Sequence, residues 1–537
     1  MKAQCIPFTQ IPHTSKLFAD FLYDFPKVSG FYPRPPYYGA WLTEQSKTIQ
    51  YDGGRRRQVA AVLLRQNREW GASEKTLANI AKFEAGAFAA VTGQQVALFG
   101  GPLFTLFKVL SAVQLAGEAT AQGVPTVPVF WLATADHDLA EVNHTFLAGS
   151  GGEPERLATT SEGTLGAPVG RIRFGEEIVA ATERAAALLG NSEAAEWLRT
   201  TYRPGETFGG AFARFYSRAF ASLGVIILDP DDLELQGLAG SVYASAIENA
   251  SGLNDALIER GRQLTGAGYH EQVKVTPSST AMFVIRNGAR TVIHRNRSNG
   301  NSFEIGGEKV AREVLLKEIA GKPEDFSPNA LLRPVVQDSW LPTLAYVGGP
   351  AEVAYFAQSA VLYEKLLGRV TPILPRFSAT IVDAKQASLL ERYGLSLTDV
   401  YAGPEALRRQ IAARTLPPAI QEDFDAAQRE VDNALAHIGG SVERLDPTLG
   451  DAAERAGRKI RYQLKRLRQR AASAQFRRAE ILSRHAAVLS NVIFPGKVPQ
   501  ERHLAAVQFL ARYGVEFLGT VLENVRPDCV DHQLLFL

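Results

Sequence analysis

Between positions 136 and 144 the chain reads DHDLAEVNH. Asp136, His137, Asp138, Glu141 and His144 place five titratable side chains within nine positions, with Asn143 among them. Two chemistries fit such a cluster. Imidazoles and carboxylates together ligate metal ions. Imidazoles also contact phosphate, with carboxylates orienting them or holding Mg²⁺ or an amine. A helical reading of the segment sets His137, Glu141 and His144 at i, i+4 and i+7, on one face. A plain structural reading makes Asp136 or Asp138 a helix cap and the histidines packing residues.

The elements that must position this cluster are legible on either side of it. An apolar run at 88–91 ends in Thr92-Gly93-Gln94-Gln95. Gly100-Gly101-Pro102 then opens an amphipathic segment at 103–116, and a second apolar run, 127–133, stops at the acidic cluster. Strand, glycine turn, helix and strand make a βαβ unit. Open parallel sheets bind ligands at the C-terminal edge of their strands, where the polar residues gather here. Gly93, Gly100 and Gly101 permit close backbone approach, and free N–H groups at the helix start suit an anion. Thr92, Gln94, Gln95 and Lys108 complete the expected nucleotide contacts. Neither GxGxxG nor GxxxxGK[ST] is present, and a tight turn with ordinary glycines explains the spacing equally well. A second Gly-Gly-Pro, at 348–350, opens another helical pattern. There Gly349, Glu352, Tyr355 and Gln358 are candidates for an amine or a sugar hydroxyl, the last three at i, i+3 and i+6. A capping carboxylate beside a half-buried tyrosine is the competing reading.

Length sets the wider frame. A chain of 537 residues is too long for one core, so two or three domains are expected. A formal net charge of +2 implies no bulk attraction to nucleic acid or membrane. Two cysteines, Cys5 and Cys529, exclude a disulfide scaffold and a Cys-rich zinc site. No apolar stretch is long enough to span a membrane, and the N-terminal residues lack the apolar core of a signal peptide, so a cytoplasmic protein is expected.

The remaining chain reads as follows. Residues 1–50 are rich in aromatics and prolines and cover a core, and 55–90 turn helical. The strand at 225–228 ends in Asp229-Pro230-Asp231-Asp232, a strand stop plus helix cap. Arg286-Asn287-Gly288 turns a β-hairpin. Ser278 and Ser279 lack a nearby base. His294, Arg295 and Arg297 read as a substrate-facing patch or a solvated strand end. From position 420 apolar residues recur at spacings of three and four, break at Asp446-Pro447, and resume, as in an antiparallel helical hairpin. Its second helix is strongly basic, either a solvated face balanced by the acidic first helix or an RNA-binding arm.

Three motifs in this order, TGQQVALFGGPLFTLFK, PVFWLATADHDLAEVNH and YVGGPAEVAYFAQ, resemble the BshC family, the cysteine ligases of bacillithiol biosynthesis. The resemblance runs over nearly the whole chain. It implies an α/β fold with a Rossmann-type parallel sheet like that of class I aminoacyl-tRNA synthetases, connective-peptide insertions and a C-terminal coiled coil. The segments then fall as 1–146 for the first half of the core, 147–210 for a first insertion, 211–390 for the second half with an insertion around 265–325, 391–490 for the coiled-coil domain, and 491–537 for a segment docking back on the body. The implied activity adds cysteine to glucosaminyl-malate, forming an amide. Carboxylates do not acylate amines unaided at neutral pH, so ATP is the expected co-substrate, with Mg²⁺. Under this reading Asp136, His137, Asp138 and His144 are catalytic and Glu141 and Asn143 touch substrate. HIGH and KMSKS motifs are absent, which leaves Arg376 or Lys385 to meet the phosphates. A homodimer through the coiled coil is expected, and nucleic acid is not. The competing functions are a metal-dependent hydrolase or transferase using His137, Glu141 and His144, and a non-catalytic RNA-binding protein.

Overall fold

A computed structural model describes residues 4–149, 152–160, 166–296, 301–414, 418–478, 480–526 and 528–537, the side chains of 473, 475–478 and 480 excepted. Arg297 and the side chains of Arg477 and Arg478 lie outside the described residues. The chain forms two compact units. The first comprises Met1–Leu147, Glu155–Thr380 and Glu501–Leu535; the second comprises Ala148–Pro154, Ile381–Gln500 and Phe536–Leu537.

The first unit is built on a five-stranded sheet. We label its elements β1 (Phe88–Gln94), α1 (Phe104–Ala121), β2 (Thr126–Leu132), β3 (Ile226–Leu228), β4 (Thr343–Gly348), α2 (Pro350–Leu367) and β5 (Ile373–Pro375). The strand order is β5-β4-β1-β2-β3, with every pair parallel. This is the parallel sheet that the βαβ pattern predicts, in the Rossmann-type arrangement that the family resemblance implies. Strands β2 and β4 are buried along their whole length, as central strands of a sheet covered on both faces must be. Strand β1 runs farther than its apolar run. Thr92 is fully buried and its hydroxyl donates to Val347 O at 2.9 Å, while Gly93 and Gln94 pair with Trp131 and Leu132. The polar residues expected to form a turn are therefore the end of the strand.

The turn that follows departs from expectation. Phe99, Gly100 and Gly101 all take positive φ, at 52°, 85° and 70°. Gly100 N–H donates to the Tyr202 hydroxyl at 2.9 Å, and the Tyr216 hydroxyl donates to Gly100 O. Gly101 N–H bonds Leu98 O at 3.1 Å and Leu103 N–H bonds Leu504 O at 2.8 Å. Ala506 N–H in turn donates to Gly101 O at 2.9 Å. The N–H groups expected to hold an anion are thus consumed by the protein itself, and Gly100 and Gly101 serve packing rather than a ligand.

A second sheet, antiparallel, is formed by Ser279–Arg286, Ala289–Arg295, Ser302–Ile305, Glu308–Ala311 and Phe326–Pro328. Asn287 and Gly288, at φ 52° and 78°, make the two-residue hairpin turn read from the sequence. Asp232 caps the helix Leu233–Glu248, accepting from Glu234 and Leu235 N–H, as its position after a strand predicts. A short helix, Arg333–Trp340, was not legible in the sequence. Near the C-terminus, His532–Phe536 pairs antiparallel with Gln4–Ile6. His532 is buried between two hydroxyls, Nδ1 at 2.7 Å from Ser378 Oγ and Nε2 at 2.8 Å from Thr380 Oγ1. Ser378 donates to Glu501 Oε1 at 2.8 Å, so its oxygen accepts from Nδ1–H.

The second unit is helical. Pro418–Leu445 and Gly450–Arg478 form the hairpin, joined by a single turn at Pro447–Leu449. Arg461 pairs with Asp432 at 2.7 Å and Arg468 with Asp425 at 2.8 Å. The basic helix is in part neutralised by the acidic one, which supports the solvated-face reading. Among the described residues no helix is long and apolar enough to cross a membrane.

Two expectations follow. A Cβ at position 100 would stand 2.7 Å from the Phe215 ring, in a left-handed conformation as well. Gly100→Ala should therefore cost about 1–3 kcal/mol in denaturant unfolding. An unchanged transition would show that the turn relaxes freely. The second expectation concerns pH. Burial pushes His532 down to about 4 from 6.5. Between those values the unfolded chain binds a proton that the folded chain refuses, so stability present above 6.5 is lost as pH falls toward about 4. The melting temperature of His532→Gln should fall less steeply than that of the parent over this window. Parallel slopes would remove the histidine from the acid response.

Candidate functional site

At the C-terminal edge of the parallel sheet lies a cavity of about 420 Å³. Strand β1 ends in its floor with Gly93, Gln94 and Gln95, and α1 sends Lys108 up beneath them. The Lys108 ammonium donates to Gly93 O and meets Glu352 Oε2 at 2.6 Å. Glu352 stands in the first turn of α2, where its carboxylate also accepts Gly349 N–H at 2.7 Å and the Tyr346 hydroxyl at 2.6 Å. Burial pushes Lys108 below the usual lysine range, and the Glu352 charge opposes that shift.

Trp131 and Trp340, stacked at 5.3 Å, give one wall. Another is made by cations. Arg333 opens the short helix Arg333–Trp340, where Pro334 takes the first turn at no hydrogen-bond cost. Its guanidinium donates to the Tyr355 hydroxyl at 3.0 Å and to Gln337 Oε1 at 2.9 Å, both neutral. It also lies 5.3 Å from the centre of the Tyr346 ring. Arg290, on the strand after the hairpin turn, stacks on Phe283 at 3.9 Å and donates to Ser327 Oγ at 2.9 Å and to Pro328 O. Burial pushes it down to about 10, against the pull of the Asp136 charge. Among the described residues neither Arg290 nor Arg333 forms an ion pair. Arg376 does, with Glu501 at 2.6 Å, both deeply buried. Arg376 and Arg502 flank the Phe104 ring at 5.2 and 5.6 Å from its centre. The lining thus holds Lys108, Arg290, Arg333, Arg376 and Arg502 against the carboxylates of Asp136 and Glu352. Such a cavity attracts a multiply charged anion.

Asp136 is the acidic group facing this field. Its Oδ1 accepts His137 N–H at 2.7 Å, and its Oδ2 accepts Gln95 Nε2 at 2.7 Å. The same Gln95 nitrogen donates to Glu141 Oε2 at 2.9 Å, so one amide holds two carboxylates together. His137 sits at the rim, half exposed, with Nδ1 3.2 Å from Arg290 Nη1. A guanidinium only donates, so Nδ1 is the acceptor and the ring proton lies on Nε2.

The structure therefore gathers Gly93, Gln94, Gln95, Lys108, Asp136, Gly349, Glu352 and Tyr355 around one cavity, with His137 and Glu141 one contact away. Other expected site residues are placed elsewhere. Thr92 is a strand lock, and Gly100 and Gly101 are sealed in their turn. Asp138 caps the short helix Leu139–Val142, accepting Glu141 N–H at 3.1 Å. Asn143 bonds the His144 ring at 3.2 Å, and His144 begins the next strand against Phe146. Burial and Arg156 push His144 down. Gln358 is fully buried and holds both N–H and O of Val273, at 2.9 and 2.8 Å. The helical face shared by His137, Glu141 and His144 does not exist, because the helix spans Leu139–Val142 alone. Among the described residues no group of three or more His, Cys, Asp or Glu is placed to hold a metal ion. Arg290, Arg333 and Arg502 are not marked out by the sequence, since single arginines in apolar or β-rich stretches carry no spacing signal.

Comparison with known proteins agrees with this architecture. Residues 1–377 match the family model described as the N-terminal Rossmann-like domain of bacillithiol biosynthesis BshC, and residues 379–537 match its C-terminal coiled-coil domain. A protein of Koribacter versatilis named "Putative cysteine ligase BshC" is 46% identical over 535 residues, covering 100% of both chains. Proteins of the same name from Solibacter usitatus and Geobacillus thermodenitrificans are 37% and 26% identical, each covering at least 98% of both chains. With both domains matched end to end, the chain belongs to the BshC family.

Proposed function

We propose that the cavity joins the carboxylate of cysteine to the amine of glucosaminyl-malate, with ATP as the activating co-substrate. The observation that carries this reading is the pair of buried guanidiniums, Arg290 and Arg333, that face the cavity with neutral partners. Burying a cation with no carboxylate in direct contact is costly, and an anionic ligand offsets that cost. Malate carboxylates and nucleotide phosphates are both of the right charge. The name borne by the relatives supplies the cysteine, and the family description supplies the pathway.

Each residue then has a task. Arg333 and Arg290 bind and orient anionic groups, and Arg502 adds to the same field. The backbone at Gly93–Gln95, held by Lys108, forms the floor beneath them. ATP supplies the leaving group that a free carboxylate lacks. Asp136, steadied by Gln95, holds the substrate ammonium and takes a proton as the amine attacks. His137 presents Nε2–H as a neutral donor toward developing oxygen charge. Any Mg²⁺ would arrive on the phosphates, which with water supply most of its shell. The sealed turn at Gly100–Gly101 plays no part in binding phosphate.

The test is Arg333→Met, which keeps the apolar stem and removes the charge. Calorimetry with ATP and with glucosaminyl-malate should show one ligand weakened by one to three orders of magnitude, about 1–4 kcal/mol. Cells carrying the variant should accumulate glucosaminyl-malate and lack the thiol. Unaltered affinity for both ligands, with normal thiol production, would sink the assignment.

We also propose that the coiled coil joins two copies. Ile438, Ile460, Leu467 and Tyr462 are 46–58% exposed on the hairpin, more apolar surface than one helical pair needs to show. Light scattering should give a dimer at micromolar concentration, and replacing Ile460 and Leu464 with Asp should give a folded monomer. A parent protein that is already monomeric would refute this.

A further inference from the structure

We propose that Cys5 and Cys529 form a reversible intrachain disulfide by exchange with low-molecular-weight disulfides, clasping the two ends of the chain. The sequence holds two cysteines, one near each end, and both thiols are free and partly exposed. The fold brings them together. Strand Gln4–Ile6 pairs with His532–Phe536, setting Cys5 opposite Gln533. The Gln533 amide then draws the preceding loop back over that pair. Its Oε1 accepts Arg526 N–H at 2.9 Å and its Nε2 donates to Arg526 O at 3.1 Å. Cys529 N–H also donates to Arg526 O, at 3.1 Å, closing a turn that sets Cys529 in the neighbourhood of Cys5, with both sulfurs acting on the Arg526 guanidinium. The surroundings are fixed from the other side by Tyr23, which donates to Asp531 at 2.6 Å and accepts Phe8 N–H at 2.8 Å.

A strand pair on the Cys5 side and a closed turn on the Cys529 side hold the two thiols as neighbours, as a disulfide needs because it tolerates little backbone separation. The surroundings also divide the roles. Arg526 Nη1 lies 3.9 Å from the Cys5 sulfur, while its Nη2 bonds Asp528 at 3.0 Å. A guanidinium beside a sulfur supports the charge of an attacking thiolate. Burial, with Cys5 as neighbour, pushes the Cys529 thiol up to about 12. Cys5 is therefore the attacking sulfur. Its thiolate displaces RS⁻ from R–S–S–R and leaves a mixed disulfide on Cys5. The Cys529 thiol gives its proton to the departing thiolate and attacks the Cys5 sulfur, expelling a second RS⁻, which takes up the proton that Cys5 released. The sum is two protein thiols and one R–S–S–R giving one protein disulfide and two RSH. Excess RSH runs the exchange backward.

The experiment uses the full-length reduced protein and glutathione disulfide. Mass spectrometry should show the loss of two hydrogens per chain and one cross-linked peptide containing positions 5 and 529, both reversed by dithiothreitol. Cys529→Ser should instead hold a glutathione mixed disulfide on Cys5, and a variant that stays unmodified overturns the assigned attack. A parent that keeps both thiols alkylatable, carries a mixed disulfide on each cysteine, or links chain to chain overturns the clasp. Thiol mass is read without any ligase assay, so this result and the fate of the proposed reaction are separable.

Discussion

Lys108 is the residue on which the site's construction turns. An ammonium taken out of water loses far more than it gains from apolar neighbours, so its burial requires a carboxylate at close range. Glu352, 2.6 Å away, meets that requirement. The same carboxylate accepts the N–H of Gly349, which caps α2, and the Tyr346 hydroxyl from β4. Lys108 in turn holds the carbonyl of Gly93 at the end of β1. One ion pair thus fixes two strand ends and two helix starts around the floor of the cavity. Removing either partner would leave the other charged and buried, a larger loss than the pair's own net worth.

With the floor locked, the character of the cavity is set by what remains uncompensated. Lys108 and Arg376 have carboxylate partners, so their charges are largely spent within the protein. Arg290 and Arg333 donate to carbonyl, hydroxyl, amide and imidazole groups instead. Their fields therefore extend into the open volume, which low-dielectric walls such as the stacked tryptophans intensify. Asp136 supplies the opposing charge that Lys108 does not already engage, and the Gln95 amide donates to it at 2.7 Å.

The sheet was legible because its evidence is periodic and local. Runs of buried residues with a helix pattern between them leave little choice but parallel strands, and the Asn287-Gly288 hairpin announced itself through turn chemistry. The spacing of apolar positions after 420 likewise gave the long hairpin. The site was legible in part. Gly93, Gln95, Asp136, Glu352 and Tyr355 stand at or soon after strand ends, which a parallel sheet brings to one edge. Arg290 and Arg333 were not, because they reach the cavity from elements whose sequence pattern speaks only of packing. Gln358 misled for a related reason. Helical spacing places it on the face of Glu352 and Tyr355, yet a helix face curves away from a cavity within two turns, and Gln358 meets the backbone of Val273 there.

The two Gly-Gly-Pro turns show how far identical sequence can diverge in use. At 100–102 both glycines take positive φ, and the chain from 504 to 506 closes over them as an added strand-like contact at Pro102 and Ala505. At 348–350 Gly349 has φ −85° and is extended, a conformation open to any residue. What it contributes is bareness, since a Cβ there would point toward Glu352 and Arg376 at 3.6 and 3.7 Å. The first turn needs glycine for its backbone; the second leaves room beside charged side chains at the cavity. The glycine that lines the cavity is therefore told apart by what its missing side chain would face, and the positive-φ glycines at 100 and 101, which sequence reasoning favoured, are the ones that pack.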